Sequence, residues 1–157
     1  MVTKDELKDF PVFNGLSDRE LEIVASLMER GEYATDEVIF GEGSLCKGMF
    51  FIQRGSVQMR KTMASGHSVL IKVLKEGEVV ESFSWGNWEV NHYSAVAIKP
   101  VGTILLSAYY IDYLKRKYPA YLYKIMKNFS CSMASRLNQS QTDLVDMTKY
   151  LEGESYT

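Results

Sequence analysis

The sequence predicts a mainly β domain flanked by helices, and three observations carry that prediction. From Tyr33 to Ser107 short β-type runs alternate with glycine-bearing turns, the texture of an antiparallel barrel or sandwich. Ahead of them stands a helix with a capping signal at Ser17, and behind them neither glycine nor proline interrupts Ala120 to Glu152. A chain of 157 residues, 46% hydrophobic and 24% charged, holds enough apolar material for one core and little room for a second. The expected organisation is one domain over residues 1–157, with N-terminal helices over 1–31, a β-barrel over 32–107 and C-terminal helices over 108–152.

The elements follow in order. Leu7, Phe10, Val12, Phe13 and Leu16 form an apolar lead-in around Pro11 and Gly15, which predicts a short helix and a turn. Ser17 and Glu20 have capping-box spacing, and Leu21, Val24, Ala25 and Met28 recur at helical intervals. With Gly31 as a stop, the spacing predicts a helix from Asp18 to Arg30. Strands are expected at Val38 to Phe40, Met49 to Gln53, Ser56 to Lys61, Ser68 to Leu74, Tyr93 to Ile98 and Thr103 to Leu106. Gln53-Arg54-Gly55-Ser56, between apolar runs, reads as a hairpin. A short helix is expected from Tyr109 to Lys117, then a long one from Pro119, where proline suits the first helical position. Within the long helix Met126, Ser130, Met133, Leu137, Ser140, Leu144, Met147 and Leu151 alternate in steps of four and three, the spacing of a heptad seam. A small barrel cannot cover so long a helix, so a two-stranded coiled coil is favoured. The apolar members Met126, Met133, Leu137, Leu144, Met147 and Leu151 would form the dimer seam.

Charge and cysteine content exclude several classes. Lysine plus arginine number 18 against 20 acidic residues, a net charge of -2, whereas a nucleic-acid binder needs a basic face. Cys46 and Cys131 are too few for a disulfide scaffold and lack metal-ligand spacing. Cys46 reads as a loop residue and Cys131 as a small core or seam-flanking one. The N-terminus has no apolar signal segment, and the longest uncharged stretch, Pro100 to Ile111, is too short to span a bilayer. A cytoplasmic protein without membrane association is expected. No Walker loop, G-x-G-x-x-G, H-E-x-x-H or G-x-S-x-G is found, so catalytic residues and metal ligands are expected to be absent. His67 lies in a predicted hairpin turn and reads as a solvated loop residue.

The segment Gly77 to Ala97 stands out. It carries both tryptophans, Trp85 and Trp88, with polar side chains set between two strands. A turn leading into a helix N-terminus is a suitable place for an anion, because free amides and the helix dipole point the same way.

Taken together, Phe13-Asn14-Gly15-Leu16-Ser17, Val38-Ile39-Phe40-Gly41-Glu42-Gly43 and Met49-Phe50-Phe51-Ile52-Gln53-Arg54-Gly55-Ser56-Val57, followed by two closing helices, resemble the cyclic-nucleotide-binding domain family, the sensor part of catabolite-activator-type regulators. The resemblance covers about residues 7 to 145. It implies an antiparallel double-stranded β-helix, a jelly-roll-like barrel, with a long C-terminal dimerisation helix. It also implies a phosphate-binding cassette of Phe-Gly-Glu followed by Arg-Thr-Ala, in which glutamate holds the ribose and arginine the cyclic phosphate. Aligned on Gly77 and Ala97, the cassette reads Val80-Glu81-Ser82 and Asn91-His92-Tyr93. The glycine becomes Glu81, the ribose-binding glutamate Ser82 and the arginine Asn91. Loss of such a charge-assisted partner costs about 1.5 to 3 kcal/mol. Phe83-Ser84-Trp85 with Ala95-Val96-Ala97-Ile98-Lys99-Pro100 is similar to a divergent stand-alone bacterial branch. His92 would supply positive charge only with a raised pKa. Met133-Ala134-Ser135-Arg136-Leu137 is similar to the family's helix motif, and its register places Ser140 and Gln141 beside the base.

The implied ligand site is therefore Glu81, Ser82, Phe83, Ser84, Trp85, Asn91, His92 and Tyr93, with Ser140 and Gln141 from the helix. The cofactor stays open: the resemblance allows a cyclic nucleotide, and the altered cassette disfavours it. One reading is a homodimeric sensor with weakened or replaced nucleotide binding. The other is a ligand-free module kept for dimerisation and protein docking. The family's helix-turn-helix domain would follow the long helix, where this sequence has only Glu152 to Thr157, so no DNA binding by this chain alone is expected, and output would pass through a protein partner.

Overall fold

The computed structural model describes residues 1–82 and 90–151, and only the backbone of Glu81, Ser82, Tyr150 and Leu151. The chain begins with α1 (Lys4–Leu7), a 3-10 turn (Pro11–Phe13) and α2 (Asp18–Ser26). The capping box at α2 forms as its spacing predicts. The Glu20 amide donates to Ser17 Oγ at 3.3 Å and the Ser17 amide donates to Glu20 Oε2 at 2.7 Å.

The helix stops at Ser26, short of the expected Arg30, because the next residues are claimed by a sheet. Glu29–Tyr33 form β1, which pairs with Val101–Ser107 at the far end of the β region, and Gly31 lies opposite Thr103. A Cβ at Gly31 would fall 2.8 Å from Thr103 Oγ1. Gly31 therefore serves close strand packing rather than helix termination, and the β region begins at Glu29 instead of residue 32.

The remaining strands are β2 (Val38–Phe40), β3 (Gly48–Arg54), β4 (Ser56–Thr62), β5 (Ser68–Lys75), β6 (Val79–Ser82), β7 (Ser94–Ala97) and β8 (Val101–Ser107). All six expected strands are present. β1 and β6 are additions, and Tyr93 lies just before β7 rather than in it. The described strands form two four-stranded antiparallel sheets, ordered β1-β8-β3-β6 and β2-β7-β4-β5, rather than one closed barrel.

This arrangement corrects the reading of Gln53-Arg54-Gly55-Ser56. β3 and β4 belong to different sheets, so the chain turns a corner there instead of folding a hairpin. Gly55 has φ of 85°, and a Cβ on it would collide with the Pro100 carbonyl oxygen. A corner crossing another strand needs this residue as much as a hairpin would, so composition alone cannot separate the two. The hairpin in this region joins β4 to β5, with exposed His67 in its turn, as expected.

Two cores result. Phe50 and Ile52 of β3 face Ile39, Phe40, Val57, Leu74 and Val80 between the sheets. Their neighbours Met49 and Phe51 face the helices, among Leu7, Phe10, Phe13 and Ile104. Period-two alternation thus buries both faces of one strand.

The closing helices are α3 (Ala108–Lys117), capped where Ser107 Oγ accepts from the Tyr110 amide at 3.3 Å, and α4 (Pro119–Leu151). Leu122, Ile125, Met126 and Phe129 of α4 are buried in the helical core. At 5% exposure Met126 is a core residue of its own chain, which removes it from the expected seam. Beyond Phe129 the apolar side chains Met133, Leu137, Leu144 and Met147 are exposed, as is Cys131. Cys131 is thus not a core residue. The side chain of Leu151 lies outside the described residues. Among the described residues, no helix is long and apolar enough to cross a membrane.

Candidate functional site

The bulge in β5 shapes the site. Opposite β4, Met59 pairs with Lys72 and Arg60 with Leu70, so Ile71 is the extra residue. A bulge re-aims side chains that would otherwise alternate, and here consecutive Ile71 and Lys72 line one cleft. Met59 and Leu74 supply its floor, and Tyr93 one wall. The opposite wall is α4, where Met133, Arg136, Leu137 and Ser140 share a face by their spacing of three and four. The cleft has a volume of about 290 Å³.

Two cations stand on its rim. Lys72 Nζ lies 3.9 Å and Arg136 Nη2 3.8 Å from Glu78 Oε1, a carboxylate of the β5–β6 turn. Glu78 Oε2 accepts from the Lys75 amide at 2.8 Å, which fixes this carboxylate within its own turn.

The residues flanking the cassette are held by two clasps. Asn91 is buried, and its Nδ2 donates to Ser44 Oγ at 3.0 Å and to the Ser44 carbonyl at 3.2 Å. Its backbone amide donates to the same carbonyl at 2.7 Å, and Cys46 Sγ lies 3.6 Å from its Oδ1. Cys46 is thus a loop residue, as expected. The second clasp is Glu42. Its carboxylate accepts from Lys61 Nζ at 2.5 Å and from the Thr62 amide at 2.9 Å, and its own amide donates to Ser94 Oγ at 2.9 Å. The Lys61 ammonium and then the Thr62 amide hold the Glu42 carboxyl at about 2, against an ordinary 4.5. Lys61 Nζ also donates to the His92 carbonyl at 2.7 Å.

The expected site residues divide accordingly. Tyr93 and Ser140 come together across the cleft from distant parts of the chain. Glu81 and Ser82 lie on β6, paired with Met49 and Gly48. Phe83, Ser84 and Trp85 lie outside the described residues, as does Trp88. Asn91 faces the loop at Ser44, His92 is exposed, and Gln141 is exposed on α4 without lining the cleft. Among the described residues, no cluster of three or more histidine, cysteine or acidic side chains is placed to hold a metal.

Sequence reasoning missed Met59, Ile71, Lys72, Leu74 and Arg136. Arg136 was visible in the helix motif without a role. Lys72 carried a signal of its own, as the one charge inside the apolar run Val69 to Leu74.

Comparison with known proteins gives a consistent result. The family described as "Cyclic nucleotide-binding domain" matches residues 30–115. The cyclic AMP receptor protein of Thermus thermophilus is 26% identical over 95% of this chain and 67% of its own length. Among solved structures, a cyclic nucleotide-binding domain from Methylobacillus flagellatus superposes with a TM-score of 0.81 at 17% identity, covering 93% of this chain and 86% of that one. The catabolite activator protein of T. thermophilus superposes with a TM-score of 0.71 at 24% identity, covering 88% and 63%. These structures share the jelly-roll arrangement of antiparallel sheets with flanking helices and a long C-terminal helix.

Proposed function

Because this chain belongs to the cyclic nucleotide-binding domain family, we propose that it is a non-catalytic regulatory module, acting as one unit, whose cleft takes a small molecule and whose α4 reports occupancy. The observation that carries this reading is the meeting of Tyr93, at the end of the cassette, with Ser140 of α4 across one cleft. A ligand seated there touches both the β5 edge and the helix, so it favours whichever helix arrangement gives better contact.

The altered cassette supports weak or replaced nucleotide binding. In this reading Asn91 stands where the family has its phosphate-binding arginine; it is neutral, and its amide is engaged with Ser44. The exposed stripe Met133, Leu137, Leu144 and Met147 supports a homodimer along α4. In this reading the module works in the cytoplasm, without DNA binding of its own, and passes its signal to a protein partner.

Thermal unfolding with millimolar cyclic AMP and cyclic GMP tests the nucleotide version. A ligand at one hundred times its Kd adds about 2.7 kcal/mol to stability, whereas one near its Kd adds little. A small shift that disappears in Tyr93→Ala and Ser140→Ala is expected; no shift at all removes the nucleotide from the reading. The engagement of Asn91 also favours a second reading, a ligand-free dimerisation and docking module. That reading gains if no small molecule stabilises the chain while the α4 dimer persists.

A further inference from the structure

We propose that the tyrosine-lined face formed by α3 and the start of α4 is a docking surface for an acidic segment of a partner protein, an inference that rests on the reading of this chain as a module signalling through a protein partner.

Six of the ten tyrosines lie between Tyr109 and Tyr123. Five of them form one continuous row. Ring centroids stand 5.1 Å apart from Tyr109 to Tyr110, 6.4 Å from Tyr110 to Tyr113, 6.2 Å from Tyr113 to Tyr118 and 4.9 Å from Tyr118 to Tyr121, the last pair stacked. Tyr110 and Tyr118 pack against the helical core, whereas Tyr109 is 66% exposed and Tyr113 and Tyr121 are half-buried. The row is anchored beneath and open to solvent above, so core packing accounts for two of its rings and leaves the others at the surface. A ring already held by its neighbours loses little freedom on binding, and it offers apolar area together with a hydroxyl that can donate to a carboxylate.

Charge selects the partner. Lys115, Arg116 and Lys117 close α3, and among the described residues none of the three is in an ion pair. The one acid of α3 is Asp112, whose backbone carbonyl accepts from Arg116 Nε at 3.4 Å. Tyr113 stands three and four residues before Arg116 and Lys117, so the ring and both cations share one side of the helix. Lys124, the next cation along the chain, is occupied by Glu20 of α2, with 2.9 Å to both carboxylate oxygens. Cations in a last turn also offset the helix dipole, but that effect calls for no row of rings beside them. Tyrosine and arginine are the side chains that dominate binding at protein interfaces, and unpaired cations favour an acidic counterpart. A net charge of -2 and the acidic Glu20 at the border of this face disfavour a long nucleic-acid backbone, which needs an extended basic track.

A library of short random peptides displayed on phage is panned against the full chain, and the enriched peptides are measured by fluorescence anisotropy. They are expected to be rich in aspartate and glutamate, with apolar residues between. Their affinity is expected to fall about tenfold when Arg116→Gln is combined with Lys117→Gln, and about tenfold in Tyr113→Ala. Raised salt is expected to weaken them. Lys99→Gln removes the same charge beyond the far end of β8 and is expected to change affinity less than about twofold. Tyr113→Phe and Arg116→Lys keep the ring and the charge and are expected to keep most of the affinity, which separates lost contact from lost folding. Oligouridylate is titrated in parallel, and if it binds more tightly than the peptides and responds to the same substitutions, the face belongs to nucleic acid and the proposal is overturned. Enriched peptides without acidic character, or acidic ones that ignore the substitutions, also overturn it and leave a protein partner to another surface. If no peptide is enriched, the face falls, while the ligand reading of the cleft is decided separately by thermal unfolding.

Discussion

Asn91 illustrates how one side chain can be read two ways. The resemblance implies that it stands where a family arginine would meet phosphate, and the fold gives its amide to Ser44 and the neighbouring loop carbonyls. Asn91→Ala removes the side-chain bonds to Ser44 Oγ and to the Ser44 and Leu45 carbonyls while the Asn91 backbone amide still reaches the Ser44 carbonyl, so a loss of about 0.5–1.5 kcal/mol is expected in urea unfolding. A smaller loss would mean that the loop is held by its backbone contacts alone. Gly55 makes a similar point about sterics. Gly55→Ala combines a positive φ with a collision against the Pro100 carbonyl, and about 2–3 kcal/mol of destabilisation is expected. The tetrapeptide around Gly55 is visible in the sequence as a turn, but which strands it connects depends on contacts with residues 100 and 101.

Among elements, the clasps around the cassette set an acid response. Glu42 joins the loop after β2 to the end of β4, and its folded carboxyl ionises at about 2 against an ordinary 4.5. Its contribution to stability is therefore full above about 4.5 and is lost as the pH falls toward 2. Glu6 acts in the same direction. Burial pulls its carboxyl upward, but the Thr3 amide, Gln53 and Arg30 outweigh that and hold it at about 2. Urea midpoints measured from pH 6 to pH 2 are expected to fall mainly below 4.5, and Glu42→Gln to flatten that slope. The long helix divides into two energetic halves. Ile125→Ala opens a cavity in a fully buried position, with about 2–5 kcal/mol expected from unfolding. Leu144, 63% exposed, belongs to the half whose apolar side chains are exposed. Its truncation is expected to leave the unfolding of a dilute, monomeric chain within about 0.5 kcal/mol of the parent.

At the scale of the whole molecule, the cleft and the apolar stripe share residues. Met133 and Leu137 line the cleft and stand in the stripe that Leu144 and Met147 continue. Leu144→Glu combined with Met147→Glu is expected to turn a dimer into a monomer in sedimentation velocity, because like charges replace apolar contacts along the proposed seam. A parent chain that is monomeric at all concentrations would contradict the dimer.

Much of this molecule is written locally. The capping box at Ser17, the uninterrupted helix after Pro119 and six of the eight described strands follow from periodicity and turn chemistry, which act over a few residues. The sequence by itself determined those elements and the family resemblance. The tertiary structure decided which sheet each strand joins, that Gly31 packs in a strand, that Met126 is core, and that Lys72 and Arg136 line one cleft. The physical reason is range: a helical or strand period reports which face of an element is apolar, but not what that face packs against. A bulge at Ile71 and the placement of α4 bring positions 72 and 136 to one cleft, and neither is encoded in the pattern around either residue.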